Sequence, residues 1–160
     1  MSVRRAAALT AMLCAIAVGS LALPWFRADL LGRDVMISAA EVSPVTWLIA
    51  PLSIAIVVLV LRASRRGGLT GSVAWRSLVL AVGAAALACA IALVGTLAPA
   101  LSVRAVGIAD PPVVPVDRLP AGFVAAGALA GVASLLCSWL IGVANVIEDG
   151  TDSSGRERLH

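Results

Sequence analysis

The chain has 160 residues, of which 61% are hydrophobic and only 13% are charged. A soluble domain with a mean hydropathy of +1.03 would expose large apolar patches, so the composition indicates an integral membrane protein. The formal net charge of +3 is small and dispersed, which argues against nucleic acid as a partner. All twelve basic residues are arginine, whose codons are GC-rich, which is typical of a high-GC bacterium.

Four uncharged stretches are long enough to cross a bilayer as helices. A helix rises 1.5 Å per residue, so about 20 apolar residues cross roughly 30 Å of hydrocarbon. We therefore predict an all-α membrane protein, an antiparallel bundle of four transmembrane helices over residues 6–26, 43–61, 77–98 and 121–147. Pro51 lies inside the second span and predicts a kink there. The polar segment 148–160 follows as a flexible tail.

The first span has a second interpretation as a cleaved signal peptide. Arg4 and Arg5 precede the apolar run, and Ser20-Leu21-Ala22 has the small-x-small pattern of a cleavage site. The apolar run is somewhat long for a signal peptide, which favours a retained membrane helix.

Arginine placement predicts the orientation of the bundle. Eight arginines fall on the side of the two termini and of the loop between the second and third spans, and four fall on the other side. Because basic residues accumulate in cytoplasmic loops, we predict a multi-pass protein of the bacterial plasma (inner) membrane with both termini in the cytoplasm. Arg62, Arg65, Arg66 and Arg76 form a basic cluster beside the membrane. This cluster predicts contact with anionic lipid, or serves only to set topology.

The two outer loops are longer than simple turns. Residues 34–38, within the loop from Arg27 to Val42, and residues 101–108 are both short and rich in β-prone side chains. We predict that they pair into a small extracytoplasmic β-ribbon, with irregular loops as the alternative. Trp25, Trp47 and Trp75 fall at span ends, where amphipathic rings prefer the membrane interface.

Small residues recur along the fourth span, where one helix face has almost no side-chain bulk. Such a face lets another helix backbone approach closely, and Trp139 near it predicts a further helix contact. The predicted packing or partner surface comprises Ala126, Gly127, Ala130, Gly131, Ser134, Ser138, Trp139 and Gly142. The sequence leaves open whether this surface meets a helix of the same chain or of another. Four-residue spacings of small residues also occur in the first span, from Ala7 to Gly19, and in the third, from Ala84 to Ala92.

The first half of the chain carries a family resemblance. The first span ends in Leu23-Pro24-Trp25, and it is followed by an outer loop, a second span with Trp47 and an arginine-bearing inner loop. This pattern, mostly over residues 4–98, resembles the actinobacterial Trp-operon-associated membrane protein family. The resemblance implies a location in the cell envelope and implies no activity.

The sequence predicts no catalytic residue, no cofactor and no metal site. None of the four spans contains an acidic or basic residue, so no ion-coupling group is expected inside the membrane. Cys14, Cys89 and Cys137 form no CxxC motif, and His160 in the tail is the only histidine. The cysteines are therefore expected to pack as small hydrophobic residues.

These observations favour a non-catalytic accessory or scaffolding subunit of a larger bacterial envelope complex, such as a respiratory, transport or cell-wall assembly. The expected partners are the lipid bilayer and other membrane subunits or further copies of this chain. An alternative is a small homo-oligomeric transporter or channel. A third class, an enzyme that acts on lipid through carboxylates of the outer loops, has no acid–base or metal spacing to support it.

Overall fold

The structure is a computed structural model that describes residues 3–30, 32–42, 44–66, 71–94 and 116–156. These residues are mostly helical, with a small three-stranded sheet. Three helices are long and apolar enough to cross a membrane, over residues 44–65, 71–91 and 120–143. The predicted helical fold of membrane type is confirmed at this level. The first predicted span is not among these three helices.

Helix α1 covers Val3–Ser20 and ends earlier than predicted. A turn follows, and strand β1 begins at Pro24, so the prediction that the first span continues to Phe26 is wrong. The reason is chemical, because proline has no N–H to donate to the Ser20 carbonyl and its ring would clash with that carbonyl in a helix. The Ser20 carbonyl instead accepts a hydrogen bond from the indole Nε1 of Trp25 at 2.9 Å.

The second span is composite. A short helix α2, Ala39–Val42, precedes a 3₁₀ helix, Pro44–Leu48, and helix α3 then covers Ile49–Arg65. Pro51 is the third residue of α3, within the first turn, where a missing N–H donor costs least. The backbone changes from 3₁₀ to α geometry at Ile49, just before Pro51, and the kink at Pro51 stays a prediction.

The third and fourth spans are longer helices than predicted. Helix α4 covers Gly71–Val94, so it begins before the predicted start at residue 77, and residues 95–98 lie outside the described ranges. Helix α5 covers Pro120–Arg156, and its 37 residues rise about 55 Å. The segment predicted as a flexible tail is thus helical as far as Arg156. An existing helix extends readily, because each added residue gains one backbone hydrogen bond.

The sheet lies at one end of the helices and has the order β2-β1-β3. Strand β1, Pro24–Leu30, pairs antiparallel with β2, Arg33–Ser38, across a tight turn in which Gly32 has a φ of 75°. Strand β3, Val116–Arg118, pairs with the other edge of β1. A small sheet is therefore present, but residues 34–38 pair in it with β1, part of which was predicted to belong to the first span. Its third strand comes from the residues just before α5. The predicted pairing of residues 34–38 with residues 101–108 is not tested, because residues 101–108 lie outside the described ranges.

The helices pack in a ring, in which α1 and α4 each contact α3 and α5. A Cβ atom on Gly131 would touch Leu13, and one on Gly122 would touch Trp25, so α1 and α5 run antiparallel. We call the end of the bundle that carries the strands the sheet end. We call the opposite end, where α3 reaches Arg65 and α4 begins, the arginine end.

The core is unevenly filled along the bundle. At the sheet end, Trp25, Phe26, Ile49 and Leu129 are almost completely buried in one cluster. At the arginine end, the buried cluster of described side chains consists of Ala63 and Ala74, with half-buried side chains packed against it. The sheet end is therefore closed by large side chains, and the arginine end is held by close helix approach.

Candidate helix-packing interface

Helix α5 turns one side toward the other helices of this chain. Ala125, Leu129, Val132 and Leu136 are buried at intervals of three or four residues, the spacing of one helix face. Leu129 belongs to the sheet-end cluster, and Val132 and Leu136 belong to the cluster in the middle of the bundle. The inward face carries branched aliphatic side chains in the middle of α5, at Leu129, Val132 and Leu136. Nearer the sheet end its buried residues are small: Ala121, Gly122, Ala125 and Ala128.

The small residues singled out in the sequence lie mainly on the opposite side of α5. Ala126 is half-buried against the sheet-end cluster. The following members of the stripe are exposed on the surface of the chain: Gly127, Ala130, Ser134, Ser138 and Gly142. The structure therefore separates this stripe from the core of the chain's own bundle.

The two glycines of the GxxxG pattern have different surroundings. A Cβ on Gly131 would lie 3.3 Å from Leu13 Cδ1, so Gly131 contributes to the contact between α1 and α5. A Cβ on Gly127, or on Gly142, would meet nothing within 4 Å. The pattern is divided between an internal helix contact and an open surface.

The two serines of the stripe already have hydrogen-bond partners. The Ser134 hydroxyl donates to the Ala130 carbonyl at 2.9 Å, and the Ser138 hydroxyl donates to the Ser134 carbonyl at 3.0 Å. Each bond lies within α5 and spans one turn. Since these hydroxyls satisfy themselves locally, the surface is smooth and carries no unpaired polar atom that would penalise contact with lipid or with another helix.

The outward surface of α5 has small residues in its middle and bulky ones beyond them. Phe123 and Ile141 are 54% and 59% exposed. The exposed residues between them that continue the same three-and-four spacing are all small: Gly127, Ala130, Ser134 and Cys137. We call these four residues the α5 notch, because a helix backbone can approach closest there.

Trp139 occupies a different place from the notch. Its ring is half-buried and, with Leu140, packs against the Ala63 and Ala74 cluster at the arginine end. The residue therefore contacts α3 and α4 of its own chain. It contributes bulk at the end where the buried side chains are smallest.

The small-residue spacings of the other helices also divide between inside and outside. Ala84 and Ala88 of α4 are completely buried in the sheet-end cluster. On α1, Ala7 is buried, whereas Ala15 and Gly19 are exposed. The α4 spacing thus serves internal packing, and the α1 spacing winds from the core to the surface.

The basic cluster is also divided. Arg62, Arg65 and Arg66 line one shallow groove together with Val58 and Leu61. Arg76 is exposed on α4 and does not line that groove. The structure brings together three of the four arginines that the sequence grouped.

One residue pair that closes the sheet end escaped the sequence reasoning. Trp25 is 1% exposed and lies inside the chain, whereas Trp47 and Trp75 are 57% and 60% exposed. The membrane-interface position of the three tryptophans stays a prediction. A Cβ on Gly122 would come within 3.2 Å of the Trp25 ring. The backbone N–H of Leu119 donates to the Trp25 carbonyl at 2.9 Å. The proline before Trp25 was the available signal, because it predicts that the helix ends before the tryptophan.

A second missed feature is a capping box at α2. Ser38 precedes the helix and Glu41 is its third residue, the S-x-x-E spacing. The Ser38 backbone N–H donates to Glu41 Oε2 at 2.6 Å. This bond lowers the pKa of Glu41 below its ordinary value, and a side-chain bond with Ser38 adds to the effect.

The described side chains offer little chemistry beyond packing. Within the described ranges, no three His, Cys, Asp or Glu side chains come close enough to hold a metal ion. The cysteines are free thiols, with Cys14 buried and Cys89 and Cys137 exposed on the outside of the bundle. Of the three, only Cys14 packs inside the bundle.

Comparison with protein-family models, with curated proteins and with solved structures finds no match to this chain. The resemblance to the Trp-operon-associated membrane proteins therefore stays a prediction.

Proposed function

We propose that this chain is a non-catalytic scaffolding subunit of a larger complex in a bacterial inner membrane. It spans the membrane four times with both termini in the cytoplasm. The observation that carries the proposal is the outward position of the α5 notch. A chain that needed these small residues only for its own fold would turn them inward.

The outward side of α3 supports this interpretation by contrast. Its exposed residues Ile54 and Val58 are bulky, with 61% and 54% of their surface accessible, and Leu61 continues the same side. Such side chains suit contact with lipid tails. Small residues instead favour helix–helix contact, because backbones approach closely and interhelical van der Waals contacts increase.

The filling of the bundle also supports a packing role. Ile56, Val60, Val132 and Leu136 fill the middle of the bundle, and Trp25 with its neighbours fills the sheet end. The monomer therefore has its own core, and the α5 notch is available for a second chain.

That α1 also crosses the membrane, as one of four spans, and that both termini are cytoplasmic are part of the proposal. Helix α1 packs beside α3 and α5, both of which contain membrane-length apolar segments. Its residues 6–20 are uncharged and follow Arg4 and Arg5, as expected for a helix that enters the bilayer from the cytoplasm.

A matched pair of substitutions tests the proposal. Ala130→Leu fills the α5 notch, and Ala86→Leu makes the same change at an exposed position of α4. After gentle detergent extraction, wild type and Ala86→Leu should elute as one large complex with co-purifying chains. Ala130→Leu should elute at monomer size and lose most of its companions, because the added side chain holds the partner helix away.

Two results would overturn the subunit proposal. In one, Ala130→Leu keeps the same companions as wild type. In the other, wild type purifies as a homo-oligomer without any other chain, which favours the transporter or channel class. Flux of ions through proteoliposomes would then be the measurement of choice.

A further inference from the structure

We propose that the groove at the arginine end of α3 binds an anionic glycerophospholipid from the adjoining leaflet. The groove has a volume of about 500 Å³ and is lined by Val58, Leu61, Arg62, Arg65 and Arg66. This site is independent of the subunit role, because it uses α3 and leaves the α5 notch free.

The order of residues along α3 matches the order of groups in a lipid. The three arginines lie at the end of the helix, and Val58 and Leu61 lie on the same side about one turn further into the apolar segment. Val58 and Leu61 remain 54% and 44% exposed. An amphiphile with its charged head at the arginines and its first acyl carbons against these two side chains satisfies both parts of the groove.

The charge of the groove specifies the head of that amphiphile. Guanidinium groups form paired hydrogen bonds with phosphate oxygens, and three of them line this groove. Among the described side chains, no carboxylate forms an ion pair with Arg62, Arg65 or Arg66. The three guanidinium groups thus offer positive charge to a phosphodiester headgroup at the membrane surface.

Arg76 supplies an internal comparison. It lies at the same end of the bundle and is also exposed, but it is outside the groove. If these arginines only set the topology, substitution of Arg76 would affect lipid binding as much as substitution of the other three. A lipid site makes Arg62, Arg65 and Arg66 different from it.

The experiment compares two double variants that lose the same charge. Arg62→Gln/Arg65→Gln removes two groove arginines, and Arg5→Gln/Arg76→Gln removes two arginines of the same end outside the groove. Full-length protein in detergent is titrated with phosphatidylglycerol or phosphatidylcholine, and bound lipid is counted by native mass spectrometry. Each phosphate contact near a membrane surface is worth about fivefold in affinity, so the groove variant should bind phosphatidylglycerol about twenty-five-fold more weakly. The Arg5/Arg76 control should bind it like wild type.

Two further measurements complete the test. Competition with inorganic phosphate distinguishes a lipid from a free anion, and a lysine variant replaces the glutamine variant if that protein cannot be purified. Inorganic phosphate at millimolar concentration should not displace the lipid, because phosphate has no chain to lie on Val58 and Leu61. If the glutamine variant does not purify, Arg62→Lys/Arg65→Lys keeps the charge and removes the paired hydrogen bonds, and it should still lose several-fold in affinity. Equal loss in both glutamine variants, equal binding of the two lipids, or displacement by phosphate would overturn the proposal.

Discussion

Over its middle turns, the two faces of α5 differ in side-chain size. The inward face presents Leu129, Val132 and Leu136, whereas the outward notch presents Gly127, Ala130 and Ser134. In a soluble protein, the buried side of a helix can be identified because it is apolar while the exposed side is polar. In a membrane both sides are apolar, and size then indicates which neighbour is expected, because small residues suit another helix and bulky ones suit lipid or a shared core. The difference teaches that α5 is built for contacts on both sides.

The strongest way to break this comparison is a deletion on the inward face. Leu129→Ala should destabilise the chain by about 2–5 kcal/mol, because Leu129 is fully buried and the cavity left behind loses its packing contacts. Thermal unfolding in detergent, followed by circular dichroism, measures the loss. The matched control is Ile141→Ala on the outward side, which should change the stability of the monomer by less than about 0.5 kcal/mol. Equal losses in the two variants would mean that the faces are assigned incorrectly.

A smaller effect is expected at the boundary between the faces, where the two glycines of the GxxxG pattern separate. Gly131→Leu should cost about 1–3 kcal/mol, because its side chain must displace Leu13 of α1. Gly127→Leu should leave the monomer as stable as wild type or slightly more stable, since nothing lies near it and glycine is a poor helix former. The same unfolding measurement applies to both. A loss of stability in Gly127→Leu that matches Gly131→Leu would show that both glycines are internal.

The smallest expected effect is a dependence of stability on pH, and it arises from Glu41 at the sheet end. Residues 121–143 of α5 contain no acidic or basic side chain, so this prediction concerns the sheet end of the chain. The Ser38 hydrogen bond lowers the pKa of Glu41 in the folded chain. The ionised carboxylate therefore stabilises the fold above its unfolded pKa, near 4.5, and this contribution disappears as the pH falls through the lower folded value.

Glu41→Gln tests this last expectation directly. The thermal midpoint of wild type should fall slightly more than that of the variant between pH 7 and pH 3. The difference should be small, because Glu41 is exposed. Parallel pH profiles for the two proteins would contradict the capping role of Glu41.

The hydrophobic runs of the sequence were enough to predict that the helices exist, but they did not predict which faces of the helices contact one another. Long uncharged runs located α3, α4 and α5 closely. The early end of α1 was also predictable, because Pro24 removes the donor that the next helical turn requires. The side of α5 that faces the core was not predictable, since lipid provides no polarity contrast to mark it.

Long-range pairing was the other gap. The sheet was predictable in kind, because the outer loops contain β-prone residues. Its third strand, Val116–Arg118, is only three residues long and pairs with β1 from far along the chain. The contact between Gly122 and Trp25 likewise joins distant residues, and no single stretch of sequence encodes it. The number of spans, the orientation and the partner remain proposals. The Ala130→Leu and Ala86→Leu variants test the partner.

The contacts of Trp25 with Leu119 and Gly122 have a consequence for the order in which the chain folds during synthesis. The hairpin of β1 and β2 is local, so it can form as soon as residue 38 has left the insertion machinery. Trp25, however, obtains the Leu119 N–H and the close approach of Gly122 only when the last helix has been made. Until then the Trp25 indole lacks these two contacts. Helix α5 therefore completes the sheet end of α1, and a nascent chain stalled before residue 119 should differ from the full-length protein in the protease sensitivity of its β1–β2 hairpin.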